Sequence, residues 1–509
     1  MSVGAIALTV LLVAAATFAL FGLVKSSNRA IDLEDYMVSR NQVGGPAAVA
    51  TVTASALGAW ILFSPPEAGS EYGGITAILG YCFGSALAIF TFVFVGPRLR
   101  QIMPWGHSLN EYVRYRFGAV ALNGKSAGSS TGRLMYLLTV GVILLYMFVY
   151  LTAELTAIAK ALQLIADVPL IVTSLVVISA VFLYTTYGGL RVTIVTDIFQ
   201  FALIVPLLLI CFVATITLLG GIGPALAPVA DNLPELLSFN NIGGLRFGAT
   251  LLIATIAAEL FNQGNWQRVY ACRNDATVRR SFLGAALIIL PLIFLSGSLG
   301  LIAAGYDLVG ATSFFDLLQS LNIANWLLSA VILLAVALVM SSLDSLLNGI
   351  SAVFAGDLLR VNDGPETVLL ISRGLTIAVG VPAVAIASQG YSVLYLFFVA
   401  DLLCAALLFP LLLSFYNRHQ TAANALVSSL IGIIVGVLFF PKPDFSPLVN
   451  IPGSGDLLNS FAAALLSSMF ITLIWTSASK RSSQFAFNYS DLKEVKPYTD
   501  GHLAIEPKL

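Results

Sequence analysis

The sequence predicts an all-α protein that crosses a membrane many times. Of its 509 residues, 58% are hydrophobic and only 10% are charged, whereas soluble domains carry about 25% charged residues. Apolar runs recur from one end of the chain to the other, each close to the roughly 20 residues that a helix needs to cross a bilayer. A soluble fold could not bury so much apolar surface, so the protein is expected to lie in a lipid bilayer.

The apolar runs predict about 13 transmembrane helices. They lie at 3–24, 46–65, 74–95, 135–158, 169–187, 194–219, 247–264, 281–305, 324–355, 368–388, 391–416, 420–440 and 457–477. The first run lacks a positively charged segment before it and a convincing cleavage site. It is therefore interpreted as a retained helix and not as a signal peptide.

The placement of Lys and Arg predicts the orientation, because these residues accumulate on the cytosolic side of a membrane. With the N-terminus outside, 22 of the 25 basic residues fall on the cytosolic side, in loops, in the C-terminal tail or, for Arg373, near the cytosolic end of a span. The three that remain outside are Lys160, Arg246 and Lys442. The longest cytosolic connection contains the segment 108–116, which is expected to form an amphipathic helix at the membrane interface or a solvated loop.

Several chemistries have no candidate residues. The four cysteines, Cys82, Cys211, Cys272 and Cys404, have no paired or metal-ligand spacing, so neither a disulfide framework nor a zinc site is expected. Three of these cysteines are predicted in spans and Cys272 in a cytosolic loop. No nucleophile–base pair is apparent, so the protein is not expected to be an enzyme, to hold an organic cofactor or to bind nucleic acid.

Acidic residues inside the predicted spans are the strongest functional signal. They are Glu154, Asp197, Glu259, Asp344 and Asp401. The only basic residue within a span is Arg373, which lies close to the cytosolic end. An ionised carboxylate in a bilayer costs several kcal/mol, so it is normally paired or functional. Either these carboxyls are protonated and bonded to neighbouring helices, or cations from solution neutralise them. The imbalance favours cation coupling or a cationic substrate.

Two clusters combine such a carboxylate with hydroxyl groups. Ser341, Asp344 and Ser345 share one helix face because they are spaced i, i+3, i+4. Carboxylate and hydroxyl oxygens suit a hard cation such as sodium, although serines also serve to pack membrane helices. Asp197 follows the pair Gly188–Gly189 and enters the next span from the cytosolic side, where an aspartate can also complement a helix N-terminus.

Two spans appear interrupted, at corresponding positions of the two halves of the chain. The segment 54–69 has small residues at mid-span followed by two prolines, and 259–268 is a polar exit from the seventh span. Interruptions free carbonyl groups, and a pair of them is typical of inverted-repeat transporters with a site at the membrane midplane. A simple proline kink is the alternative for the first segment.

These segments resemble the sodium/solute symporter family, which includes proline and sugar cotransporters. The similarity runs over nearly the whole chain and rests on the order and spacing of four segments. They are 35–40 after the first span, 184–197 with its Tyr-Gly-Gly and Thr-Asp motifs, 262–268, and 341–348. The stretch 263–268 has a weaker similarity to the urea and polyamine branch of the family.

The resemblance implies a leucine-transporter-like core of two inverted five-helix repeats. The expected organisation is an extra helix and loop at 1–45, a first repeat at 46–219, an extracellular linker at 220–246, a second repeat at 247–416, two peripheral helices at 417–477 and a cytosolic tail at 478–509. The expected topology has the N-terminus outside and the C-terminus inside, in the cell membrane.

The resemblance also implies where sodium binds. The common sodium site of the family corresponds here to the carbonyls of Ala54, Leu57 and Leu338 and the hydroxyls of Ser341 and Ser342. A second site, for Na+ or H+, corresponds to Asp197, Asp344 and Ser345 together with Ser341. Asp344 departs from the family, which has a hydroxyl there, and Ala56 stands where proline permeases have an aspartate that is important for sodium. Proline is therefore not the expected solute.

The expected function is sodium-coupled uptake of a small polar organic solute by alternating access. The residues predicted to contact the solute are Trp60, Ser64, Glu259, Asn262 and Asp401. If both acids are ionised, a solute with an amino group fits, whereas a neutral solute such as urea needs only hydrogen bonds. The alternative is a proton-coupled transporter, or an uncoupled facilitator, of a small amine, amino acid or urea-like solute.

Overall fold

The computed structural model describes residues 3–26, 33–118, 129–321, 323–358, 365–481 and 486–495, which are mostly helical. The predicted all-α fold is confirmed. Part of the predicted tail at 478–509 lies outside the described residues, as do five basic residues predicted on the cytosolic side: Arg29, Lys125, Arg360, Lys496 and Lys508.

The helices of the first half are α1 (Val3–Ser26), α2 (Leu33–Met37), α3 (Gly45–Ala56), α4 (Ser64–Ser70), α5 (Ile75–Ile102), α6 (Leu109–Arg116), α7 (Ser130–Ala166), α8 (Leu170–Leu218) and α9 (Ile222–Asn232). Those of the second half are α10 (Ile242–Phe261), α11 (Gln263–Ala271), α12 (Asp275–Ala304), α13 (Ser313–Ser320), α14 (Asn325–Leu358), α15 (Pro365–Ala387), α16 (Val393–Ser414), α17 (Ala422–Phe439) and α18 (Leu457–Arg481). Short 3₁₀ turns cover Ala59–Leu62, Pro234–Leu237 and Tyr489–Glu494.

The number of membrane crossings agrees with the prediction once two irregular helices are taken into account. Eleven of the described helices are long and apolar enough to span a bilayer, and α3 with the segment Ala59–Ser70 forms a twelfth span that is bent by 59°. Helix α8 has 49 residues, about 73 Å at 1.5 Å per residue, more than twice the thickness of the hydrocarbon core. It is broken at Gly189 (φ 55°, ψ −158°). If the parts of α8 on either side of this break are counted as two spans, the twelve spans become the thirteen predicted.

The two inverted repeats each begin with a broken helix. In the first repeat, α3 and α4 are followed by α5, α7 and the two parts of α8. In the second repeat, α10 and α11 are followed by α12, α14, α15 and α16. A helix of eight residues follows the second span of each repeat, namely α6 after α5 and α13 after α12. The repeats interlock because α5 packs against both α10 and α12. The limits given for the repeats, 46–219 and 247–416, stay a prediction.

The segment 108–116 corrects an expectation. Residues Leu109–Arg116 of it form the helix α6, which is buried against the rest of the protein and is not a solvated loop. Leu109, Tyr112 and Val113 are buried, and the Tyr112 hydroxyl donates to the carbonyl of Ser414 at 2.8 Å. The charged residues that gave the segment its amphipathic pattern are mostly buried as well, so the pattern reflects contacts within the protein.

Candidate ion and solute site

The first broken helix opens at Leu57 and Gly58. Helix α3 ends at Ala56, and Gly58 has extended backbone (φ −114°, ψ −179°) before the 3₁₀ turn. The N–H of Leu57 donates to the carbonyl of Thr53 at 3.1 Å, but none of the backbone hydrogen bonds described at the break reaches the carbonyl oxygens of Ala54 or Leu57. The last carbonyls of a helix need partners outside it. These two oxygens are therefore open to a ligand.

The two serines of the expected sodium site lie on α14, which packs against α3 and the 3₁₀ turn. The Ser342 hydroxyl donates to the carbonyls of Leu338 at 3.3 Å and Val339 at 3.1 Å. The Ser341 hydroxyl donates to Asp197 at 2.6 Å. A hydroxyl that donates its proton keeps lone pairs with which it can bind a cation. The oxygens of the expected sodium site thus come from two helices in contact, α3 and α14, and their role as ligands stays a prediction.

Arg268 corrects the expectation that the carboxylates in the membrane lack basic partners. The sequence placed Arg268 in a cytosolic loop, but it lies on α11 and is 1% exposed. Its guanidinium donates to the Asp197 carboxylate and to the Ser345 hydroxyl, at 2.7 Å each, and to the Thr51 hydroxyl at 2.9 Å. Asp197 is fully buried, so Arg268 supplies the positive charge that such a carboxylate requires.

Asp344 has no such ion pair among the described residues. Its carboxylate accepts hydrogen bonds from the hydroxyls of Tyr184 at 2.9 Å, Thr196 at 3.2 Å and Ser345 at 3.2 Å. These partners are neutral, and Arg268 already pairs with Asp197. The cluster therefore combines two carboxyl groups with one guanidinium, and the second Na+ or H+ site expected here stays a prediction.

At the break in the second broken helix, side chains of the same segment supply the hydrogen bonds. Asn262 ends α10 and begins α11, and its side chain accepts the N–H of Gly264 at 3.0 Å. The side-chain amides of Asn265 and Asn262 donate to the Glu259 carboxylate at 2.6 Å and 3.3 Å. The chain continues as the buried helix α11 and not as the loop that the sequence suggested. Cys272, expected in that loop, is also buried.

A cavity lies between the two broken helices. Glu259 and Asp401 line it, and no Lys, Arg or His belongs to the lining that the structure describes. The aromatic part of the wall includes Trp60, which stacks on Tyr81 with ring centroids 5.5 Å apart, and Phe397, which meets Trp60 edge-on at 6.5 Å. Aromatic faces and carboxylates both attract cations.

The five predicted solute contacts are placed differently. Trp60, Glu259 and Asp401 line the cavity. Asn262 is outside the lining but bonds to Glu259, and Ser64 is fully buried elsewhere on α4. The predicted contacts did not include the aromatic lining residues Tyr81, Tyr146, Tyr150, Phe397 and Phe398. Aromatic residues at mid-span on helices of both repeats are the signal in the sequence that could have identified them.

A cluster of charged residues on the cytosolic side connects α2 with α6 and the loop before it. His107 contacts Glu34 at 2.6 Å and Glu111 at 3.1 Å, and Arg40 contacts Glu34 at 2.5 Å. Burial disfavours the charged imidazole, but the two carboxylates outweigh this effect and raise the pKa of His107. Burial also acts to raise the pKa of Glu34, but His107 and Arg40 bring it below its ordinary value. The cluster is therefore held by opposite charges.

The segments on either side of this cluster also pair through their backbones. The N–H of Asn41 donates to the carbonyl of Tyr270 at 3.0 Å, and the N–H of Val43 donates to that of Ala271 at 2.9 Å. Arg100 donates to the carbonyls of Val269 and Cys272 at 2.7 Å each. These bonds connect the end of α11 to the segment that leads into α3 and to the end of α5.

Two interrupted spans, opened carbonyl groups and a cavity between the breaks define the class of protein as a secondary transporter built from inverted repeats. Comparison with known proteins specifies the family. The sodium:solute symporter family model matches residues 36–432, and the chain belongs to this family. It is therefore a multi-pass membrane protein that couples solute uptake to sodium, and not an enzyme.

Individual relatives are similar over most of their length. The chain is 26% identical to the spermidine transporter DUR31 of Candida albicans over 382 residues, which are 74% of this chain and 68% of the relative. It is 23% identical to the high-affinity proline transporter PutP of Bacillus subtilis over 91% of this chain and 97% of the relative. The fold matches that of a Na+-coupled sialic acid symporter in a substrate-bound outward-open state, with a TM-score of 0.73, 19% identity and coverage of 93% and 98% of the two chains.

Proposed function

We propose that this symporter takes up a small organic cation, such as an amine, together with sodium. The observation that carries the proposal is the composition of the cavity. Two carboxyl groups, those of Glu259 and Asp401, line it without any basic side chain in the described lining. A solute with an ammonium group compensates these charges and contacts the aromatic faces favourably.

The hydrogen bonding of the two acids also differs, and that of Asp401 is incomplete. One oxygen of Asp401 is buried and has no hydrogen-bond partner among the described residues, and Glu259 receives its side-chain hydrogen bonds from two amides of its own helix break. A buried carboxylate oxygen without a donor is costly. An ammonium group carries up to three donors, so an amine can donate to the carboxylate oxygen that has no donor from the protein. This argument favours an amine over a neutral urea-like solute, which brings no compensating charge.

A relative of this chain supports the same chemistry. The Candida albicans relative is a spermidine transporter, and spermidine is an aliphatic amine. The proline and sialic acid transporters among the compared proteins carry other solutes, so family membership alone does not specify the substrate. The proposed substrate class therefore rests on the residues that line the cavity, and the substrate of this relative is consistent with it.

The proposed sodium site consists of the carbonyl oxygens of Ala54, Leu57 and Leu338 and the hydroxyls of Ser341 and Ser342. Sodium that arrives from outside binds at the first break and stabilises the arrangement in which the cytosolic side is closed. The organic cation then fills the cavity. Differential binding of both shifts the population toward the inward-facing state. Each positive charge that moves inward is driven by about 2.3 kcal/mol per 100 mV of membrane potential.

The second ion position involves Asp197, Asp344 and Ser345. Because Arg268 neutralises Asp197, the group left for an ion is Asp344. We propose that it binds one proton or one sodium ion at a time, and that Asp197 acts as an ion-pair partner and not as a direct ligand. Loss of the Asp344 charge in Asp344→Asn is expected to change the number of charges that cross per solute, while the first site still binds sodium.

The test is uptake into proteoliposomes that contain the purified protein. A panel with a diamine, a monoamine, proline, glucose and urea is offered under an inward gradient of sodium, potassium or protons. The proposal predicts accumulation of an amine under the sodium gradient only. Accumulation of a neutral solute in preference to the amines overturns the substrate class. Uptake that is the same in potassium as in sodium overturns the coupling and favours a facilitator.

A further inference from the structure

Glu154 occupies the gap in the first broken helix. It lies on α7 and is fully buried, and its Oε2 accepts the N–H of Ala59 at 2.7 Å. A methyl group added to Gly58 would lie 1.9 Å from Oε1 of the same carboxyl group. The glycine therefore makes room for the carboxylate, which takes the place that the next turn of α3 would have filled.

The second oxygen of this carboxyl group is not satisfied. Oε1 of Glu154 is buried and has no hydrogen-bond partner among the described residues. The Ser342 hydroxyl and the amide of Trp60 also lie close to this carboxyl group. None of these groups carries a positive charge. A buried carboxylate with an open oxygen and no basic partner requires a cation or a proton.

The surroundings of Glu154 overlap with the proposed sodium site at one ligand and lie next to a second. Ser342 is one of the proposed ligands, and Leu57, another, is the residue next to Gly58. The other ligands proposed there are carbonyls and hydroxyls, which are neutral. A carboxylate oxygen is a strong ligand for hard cations. Oε1, which has no hydrogen-bond partner, therefore supplies the negative charge that the neutral ligands lack.

We infer that Glu154 is a direct, negatively charged ligand of the coupling sodium ion. The inference rests on the function proposed above and names an additional ligand of the same ion. It also links the ion to the solute, because the carboxylate that binds sodium holds the amide of Ala59, and the next residue is Trp60 in the cavity wall. Sodium thereby fixes the position of Trp60 before the solute binds.

The test measures sodium binding to the full-length protein in detergent, through the sodium-dependent rise in melting temperature and the change in tryptophan fluorescence. Glu154→Gln keeps the shape of the side chain and an acceptor for Ala59 but removes the charge, and it is expected to lower sodium affinity at least tenfold. Glu67→Gln is the matched control, because Glu67 is a buried glutamate on α4, and it is expected to keep sodium affinity within about twofold of the wild type.

Gly58→Ala tests the inference by a second route, because its methyl group displaces the carboxylate without changing the charge. The extended backbone at Gly58 accepts alanine, and a sodium affinity reduced at least fivefold is expected. In combination with Glu154→Gln, Gly58→Ala should add little, because both changes remove the same ligand.

The outcomes separate the inference from the proposed function. A wild-type protein with no response to sodium overturns both. A wild-type response that is equally strong in Glu154→Gln overturns only the role of Glu154, which would then be a structural cap of the Ala59 amide. If Glu154→Gln does not fold, an unchanged sodium affinity in Gly58→Ala overturns the inference instead.

Discussion

Each broken helix leaves backbone groups without helical hydrogen bonds, and the two breaks differ in how these groups are bonded. At the second break, the Asn262 side chain accepts the amide of Gly264, and the same break supplies the donors to Glu259. At the first break, the carbonyls of Ala54 and Leu57 stay open, and a carboxyl group arrives from another helix, that of Glu154 on α7. The first break therefore leaves backbone oxygens without hydrogen bonds, whereas the second holds a carboxyl group at the wall of the cavity.

Arg268 connects the two breaks, and its removal is expected to have the largest effect. It bonds to Thr51 on α3 and to Asp197 on α8 from its position on α11. Loss of one partner of a buried ion pair costs about 3–5 kcal/mol, so Arg268→Gln should lower the melting temperature of the detergent-solubilised protein strongly. The double variant Arg268→Gln with Asp197→Asn should recover part of the loss. A melting temperature of Arg268→Gln equal to that of the wild type would show that the pair contributes nothing.

Ser342→Ala tests the first break. It removes one of the oxygens proposed to bind sodium, so the sodium concentration for half-maximal uptake should rise tenfold or more. The affinity for the organic cation at saturating sodium should change less than threefold. Ser329→Ala is the control, because Ser329 is on the same helix and its hydroxyl only donates to the carbonyl of Asn325 at 2.8 Å. Equal sodium dependence in both variants contradicts the ion site.

Glu259→Gln tests the second break. The variant keeps hydrogen bonding but loses the charge, and a hydrogen bond to a charged group contributes about 1.5–3 kcal/mol. The solute concentration for half-maximal uptake of an amine should therefore rise about tenfold or more, with the sodium dependence unchanged. Glu235→Gln, in an exposed 3₁₀ turn, is the control. A loss of sodium affinity in place of amine affinity would mean that the two breaks do not divide the roles as proposed.

The contacts of His107 on the cytosolic side should make the stability of the protein depend weakly on pH. The pKa of His107 is raised in the folded protein. Its contribution to stability is therefore fully present below the ordinary pKa of about 6.5 and is lost as pH rises through the raised value. The melting temperature is expected to fall by a few degrees across this range, and less so in His107→Gln. An identical pH profile for the two proteins would exclude a role for this histidine.

The sequence predicted what depends on local pattern. Apolar runs fix the spans, and glycine and proline mark the breaks at Gly58 and Gly189, because these features act within a few residues. The sequence did not place Arg268 inside the protein, because a polar stretch after a span looks like a loop until the second half of a broken helix is known. The contact between Glu154 and Gly58 joins residues that are far apart in the chain, and no local pattern encodes it.

The aromatic wall of the cavity was missed for the same reason. Tyr81, Tyr150 and Phe397 come from three different helices, and each has an apolar neighbourhood in the sequence. Their shared function depends on the packing of the two repeats. The acids Glu259 and Asp401 could be selected from the sequence because a charge in a membrane span is rare wherever it occurs.

Hydrogen–deuterium exchange of the reconstituted protein tests the division between the two breaks most directly. Peptides that cover residues 57–63 and 262–268 report the two breaks separately. Sodium alone should slow exchange in the first peptide several-fold relative to potassium and leave the second unchanged. An amine added with sodium should then protect the cavity-lining residues of both helices. If sodium protects neither break, or both equally, the proposed division of roles between them is wrong.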